Sequence, residues 1–230
     1  MNKRLHIGLI GGIGVAAALA YYQRLSRAVE GPLELTVVHA QVADLLTNSL
    51  ADDRRAQAEI YARLIDRLRD AGADCAAITS LGGHFCFDET VSLSSLPLVS
   101  AVTPLDAYFQ REDLGTVGLL GTARVMRTRL YGQLQRTRAV VPDEDLDTVG
   151  TAYQDLAIRG EAASGDAPFF QQAGRRLVTD QGAEAVVLAG TDLNLVFDGH
   201  DPGYRVIDAL DVHVDVLARL AMGRMSLDDL

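Results

Sequence analysis

A single offset organises this chain. Gly8 and Gly118, Gly11 and Gly121, Tyr21 and Tyr131, Gly72 and Gly182, and Ala73 and Ala183 are identical pairs 110 positions apart, and Asp74 answers Glu184 at the same spacing. One offset that links strand starts, turn glycines and a helix tyrosine calls for two copies of one supersecondary plan. The chain has 230 residues, so each copy would be near the commonest domain size of about 100–150 residues. The expectation is an α/β chain of two pseudo-symmetric α/β/α halves with parallel sheets and an active cleft between them. The first half would take residues 1–103 plus 208–230, and the second 104–207.

The pattern of apolar runs supports this plan. In the first half, strands are expected at Leu5 to Ile10, Leu35 to Ala40, Cys75 to Thr79 and Leu98 to Val102. Such short runs, apolar throughout, suit parallel strands buried on both faces. Helices are expected at Val15 to Val29, Arg54 to Ala71 and up to about Gln110, with Ile60, Leu64 and Leu68 at four-residue spacing. Gln41 to Asp53 reads as a loop or short helix. In the second half, strands are expected at Thr116 to Leu120, Ala139 to Val141, Ala185 to Ala189 and Arg205 to Ile207. Helices are expected at Val125 to Gln135, Leu146 to Arg159, Ala167 to Gln181 and Asp211 to Met222. Alternating strands and helices imply parallel sheets with crossovers. Ligands of such folds sit beyond the carboxyl ends of the strands. Ser80 and Gly190 are the residues placed there.

Composition excludes several classes. A net charge of −10 argues against a nucleic-acid partner, because phosphate binding needs a basic surface. Lys3 is the only lysine, so a carboxylate clamp must use arginine, hydroxyls or backbone N–H groups. Cys75 and Cys86 suit a reducing compartment without a disulfide framework. The five histidines show no metal-ligand spacing, no apolar run reaches the roughly 20 residues of a membrane span, and Met1 to Arg4 leads straight into a strand. The chain is therefore expected to be cytoplasmic, with no membrane partner and no cofactor. A dinucleotide fingerprint is incomplete, since Gly12 and Gly14 match but Ala17 holds the third position.

The segments Ile7–Gly14, Ala71–Asp74, His84, Val117–Thr122, Val141–Glu144, Gly182–Glu184, Leu188–Leu193 and Ile207 to His213, in this order and at these spacings, resemble the aspartate/glutamate racemase family. The resemblance runs over essentially the whole chain. It implies a small-molecule carboxylate as ligand, chemistry without pyridoxal phosphate, and a homodimer. In that family a cysteine stands at each of the two strand ends, and the pair exchanges the α-proton from opposite faces. Here the first position falls on Ser80, or on Thr79 if the corner is aligned one residue differently, and the second on Gly190.

The departure has chemical weight. A thiol of pKa about 8.5 is readily tuned toward neutrality, whereas a serine hydroxyl needs a neighbouring base and glycine offers no side chain. Cys75 is five residues back, roughly 16 Å along a strand, and Cys86 lies six residues past Ser80. Both read as buried fillers. The acid–base set expected in place of the thiols is Ser80, His84 and Asp192, with a Ser80–His84 relay as one arrangement. By the resemblance, the carboxylate cradle draws on Gly12, Thr79, Gly82, Gly83, Thr122, Gly190 and Thr191. The family arginine has no clear match; Asn48, Arg54, Arg55 and Arg159 are the candidates, and His213 would orient groups near the domain seam. The expected function is a racemase-like enzyme with a remodelled site. The alternatives are a non-catalytic carboxylate-binding paralogue, or a lyase, decarboxylase or isomerase of the same superfamily.

Overall fold

The computed structural model describes residues 2–230; Met1, which opens the expected first half, lies outside the described residues. The chain divides into two units, Met1–Ala101 with His213–Leu230, and Val102–Val212.

The first unit runs β1 (Ile7–Gly11), α1 (Val15–Ala28), β2 (Leu35–His39), α2 (Val42–Leu50), α3 (Arg54–Asp70), β3 (Cys75–Ile78), a 3₁₀ turn at Gly82–Cys86, α4 (Phe87–Leu93) and β4 (Leu98–Val99). The second runs α5 (Pro104–Arg111), β5 (Thr116–Leu120), α6 (Ala123–Arg127), β6 (Arg138–Val140), α7 (Leu146–Arg159), α8 (Asp166–Gln181), β7 (Ala185–Leu188), a 3₁₀ turn at Thr191–Leu193, α9 (Asn194–Phe197) and β8 (Val206–Asp208). The last helix, α10 (Ala209–Ala221), carries the boundary at Val212. Each unit holds one four-stranded sheet. The orders are β2-β1-β3-β4 and β6-β5-β7-β8, and every neighbouring pair is parallel.

The internal repeat is visible in the registers. Ile7 pairs with Cys75, and Val117 with Ala185, both 110 positions on. Gly8 and Gly118 explain why a glycine recurs. A Cβ on Gly8 would lie 2.9 Å from Leu68 Cδ1 of α3, and one on Gly118 would lie 2.9 Å from Leu177 Cβ of α8. Each unit thus seats a helix leucine directly on the central strand. Asp74 and Glu184 repeat for a related reason. Asp74 Oδ2 accepts from His6 N at 2.8 Å, and Glu184 Oε2 accepts from Gly115 N and Thr116 N at 2.8 and 2.7 Å. Both acids bind the open amides at the start of the adjoining strand.

Two expectations are corrected. The helix over 125–135 stops at Arg127. The Thr128 hydroxyl donates to Arg124 O and accepts from Tyr131 N, a local bond that competes with helix propagation. Arg129, Leu130 and Tyr131 then all take positive φ. Tyr131 is therefore not a helix tyrosine like Tyr21, which lies buried in α1. The strand expected over 98–102 ends at Val99, since the Ala101 amide goes to a side chain, His84 Nε2 at 3.0 Å. Of the loop or short helix expected over Gln41 to Asp53, the structure has the helix, at Val42–Leu50.

A methyl group at position 118 has no room. Gly118→Ala is expected to cost about 1–3 kcal/mol, as overpacked cores do, measured by urea denaturation of the purified chain. An unchanged midpoint would show that Leu177 has slack this packing does not display.

Candidate functional site

Ser80 follows β3 and Gly190 follows β7. The strand registers make them equivalent, because Thr79 N bonds Ile10 O as Ala189 N bonds Leu120 O. The 3₁₀ turn begins two residues after Ser80 but immediately after Gly190, so the second corner is one residue shorter.

At the first corner the side chains are held by the backbone. Ser80 Oγ accepts from Gly83 N at 3.2 Å, which leaves its proton to donate. The Thr79 hydroxyl, placed in the expected cradle, donates to Ile10 O at 3.0 Å and ties β3 to β1. Gly83 is packed tightly, as a Cβ there would lie 2.6 Å from the Tyr61 hydroxyl. Gly82 is half-buried beside it. Gly12 takes φ +90° where the chain leaves β1, a position closed to a side chain by His39 and Ala40 O.

His84 is bound at both nitrogens. Ala101 N donates to Nε2 at 3.0 Å, so Nδ1 carries the ring proton, and Nδ1 donates to Ser80 O at 2.7 Å. The bond goes to the Ser80 carbonyl and not to its hydroxyl, so the Ser80–His84 relay is not formed. The ring also stacks on Phe87, with centroids 5.1 Å apart. Burial lowers its pKa to about 4. His213 lies in the same unit, where its Nδ1 pairs with the Tyr21 hydroxyl at 2.8 Å. Burial, with His84 nearby, lowers its pKa to about 3. Both cysteines are buried and neither forms a disulfide; the Cys86 thiol meets Gly83 O and the Thr90 hydroxyl. Burial raises Cys75 to about 12 and Cys86 to about 11, so neither supplies a thiolate near neutral pH.

The second corner is built differently. A Cβ on Gly190 would fall 2.3 Å from Tyr153 Cε2 and 2.5 Å from Cζ. The Tyr153 ring, carried by α7, therefore occupies the space of a side chain at 190. Its hydroxyl donates to Asp192 Oδ2 at 3.3 Å. Asp192 and Thr191 are both buried. Thr122 caps α6, its Oγ1 accepting from Val125 N at 3.2 Å.

The arginine candidates are engaged elsewhere. Arg54 pairs with Asp52 and Glu89, Arg55 with Glu59, and Arg159 with Asp166. Asn48 donates to Gln57. Among the described residues no group of three or more His, Cys, Asp or Glu could hold a metal ion, and no helix is long and apolar enough to cross a membrane.

Tyr153 is not among the residues expected from the sequence. Its only signal was a tyrosine on the buried stripe of α7, with Val149, Gly150 and Leu156. A buried phenol seeks a hydrogen-bond partner, and Asp192 is that partner.

The family model for Asp/Glu/Hydantoin racemases matches residues 10–217. The chain belongs to the Asp/Glu/Hydantoin racemase family. Solved structures agree on the fold. An aspartate racemase homologue from Pyrococcus horikoshii is 24% identical with a TM-score of 0.76, covering 96% of this chain and 99% of its own. The aspartate racemase of Picrophilus torridus is 17% identical with a TM-score of 0.76, covering 97% and 99%. The allantoin racemase of Klebsiella pneumoniae is 17% identical with a TM-score of 0.64, covering 95% and 89%.

Two outcomes follow from this geometry. Gly190→Ala is expected to cost about 1–3 kcal/mol by overpacking and to become nearly neutral in a Tyr153→Ala background. Denaturation of the four variants gives the coupling; additive effects would mean the ring does not fill position 190. The buried histidines set an acid limit. Their folded pKa values, about 4 and about 3, lie below the ordinary 6.5, so the unfolded chain binds the extra protons. Their contribution is complete above about pH 6.5 and is lost as pH falls toward 4. At pH 5 each is expected to remove about 2 kcal/mol of stability. Equal stability at pH 7.5 and pH 5 would exclude neutral buried rings.

Proposed function

We propose that this family member binds a small carboxylate at its strand ends and performs acid–base chemistry on it without a thiol pair. The observation that carries this is the second corner, where a phenol and a carboxylate are bonded together at the end of β7. That is a proton-bearing pair at the position where, by the resemblance, the family places a cysteine. Family membership supports a carboxylate ligand. In the first unit the Ser80 hydroxyl and the amides around Gly12 and Gly82 would offer hydrogen bonds to a carboxylate, and in the second unit the Thr122 and Thr191 hydroxyls would, consistent with carboxylate recognition by hydroxyls and N–H groups. Within the second unit Asp192 would be the charged member of the pair; within the first, Ser80 would act as a hydrogen-bond donor and His84 would hold that corner in shape. Buried cysteines without a disulfide suit a reducing cytoplasm, and the family resemblance suggests a homodimer.

A second interpretation, binding without turnover, is favoured by one observation: His84 has both nitrogens bonded within the fold, so Ser80 has no base from that residue. Two measurements separate them. Calorimetry with L- and D-aspartate and glutamate should show binding. Incubation in deuterated water should place deuterium at the α-carbon. Binding without exchange would leave the binder, and no heat with any of these acids would remove both.

A further inference from the structure

Position 190 lacks a side chain, yet its space is not empty. The hydroxyl-bearing edge of the Tyr153 ring fills it, with Cε2, Cζ and Cδ2 at 2.3, 2.5 and 2.8 Å from where a Cβ would stand. Cζ carries the phenol oxygen, so the hydroxyl is one bond removed from the space where a residue-190 side chain would begin. The ring arrives from α7, 37 residues earlier in the chain. We infer that Tyr153 supplies from α7 the proton-transferring group that residue 190 lacks, with Asp192 holding the phenol in place. This rests on the acid–base function proposed above and names its acting residue.

The surroundings of the phenol fit the role. Three groups meet its oxygen: the Asp192 carboxylate, which accepts its hydrogen bond at 3.3 Å, the Thr191 hydroxyl and the Asp192 backbone N–H. The last two would donate to a phenolate and favour its formation, whereas the carboxylate and the burial oppose it. Burial and Asp192 win, and the phenol is held well above its ordinary value. At neutral pH it is therefore a protonated donor with a small phenolate fraction. That fraction is a strong base.

The transfer is one-sided and balanced. The phenolate oxygen takes the α-proton of the bound acid; the C–H bond breaks, an O–H bond forms, and the electron pair stays on carbon. In the reverse step the O–H bond breaks and a C–H bond forms on the same face. Between the two steps the phenol proton exchanges with water. In deuterated water, label should therefore enter the α-carbon faster than the configuration inverts. The rate should climb about tenfold per pH unit from pH 7 to 9, as the phenolate fraction does.

The test uses the full chain with L- and D-aspartate and glutamate, read by deuterium incorporation. Tyr153→Phe keeps the ring in the position-190 space and removes only the oxygen. It is expected to lose at least 100-fold in kcat, with KM within threefold and a melting temperature lowered by no more than about 10 °C, as the loss of one buried hydrogen bond allows. Asp192→Asn removes the opposing charge and should move the pH profile to lower pH, a shift that a merely structural role would not produce. A Tyr153→Phe chain exchanging within threefold of wild type overturns the role of Tyr153 and leaves the proposed function standing. An exchange rate flat from pH 7 to 9 overturns it as well. A wild-type chain that exchanges none of these acids removes the acid–base function itself, and the role of Tyr153 with it. Calorimetric binding identifies that last case as a carboxylate binder.

Discussion

Close contact between a helix leucine and a glycine in the central strand underlies each unit. Leu68 lies on Gly8 and Leu177 on Gly118, at distances a side chain would not permit. Dispersion at such contact is small per atom pair but sums over the helix face. The contact also fixes the rotation and height of α3 and α8 against their sheets. The chain from each helix into the next strand is short, so the strand register follows from it. Ile7 opposite Cys75 and Val117 opposite Ala185 are the result, and that register sets how far β3 and β7 reach before they release Ser80 and Gly190.

The backbone repeat is therefore strict where packing sets it and loose at the two strand-end corners. The first corner is closed by hydrogen bonds among its own groups: Gly83 N to Ser80 Oγ, His84 to Ser80 O, and Ala101 N to His84. Each of these satisfies a buried polar group that would otherwise cost about 1–3 kcal/mol. A neutral His84 follows from its two partners, one donating and one accepting. At the second corner a carboxylate and a phenol meet instead.

The plan of the chain was legible because it is written in short-range chemistry. The 110-residue offset named both central strands, and Gly8 and Gly118 carried the helix contact as a missing side chain. The helix over 125–135 was misread because its apolar spacing continues past Arg127, whereas the Thr128 hydroxyl redirects the backbone. Val102 was read into a strand that His84 ends by taking the Ala101 amide. In both cases a side-chain hydrogen bond overrode the pattern. Tyr153 was invisible for a different reason. Its relation to Gly190 spans two elements and 37 residues, and one chain read alone offers no local spacing that joins them.

The glycine at 190 is then no simple loss. An alanine or cysteine there would collide with the ring of Tyr153, and a small residue at 153 would leave a cavity beside a bare backbone, which costs roughly 24 cal/mol per Å³. Each residue makes the other necessary, so neither is expected to change alone without loss of stability. A thiol at 190 would bring a group of ordinary pKa about 8.5. The ring brings a phenol that ordinarily titrates near 10 and is held higher by burial and Asp192. Such an exchange trades acidity near neutrality for a donor that stays protonated and a base that is rare but strong. If Tyr153 acts as proposed, proton transfer would fall on one face, with its working range displaced toward alkaline pH.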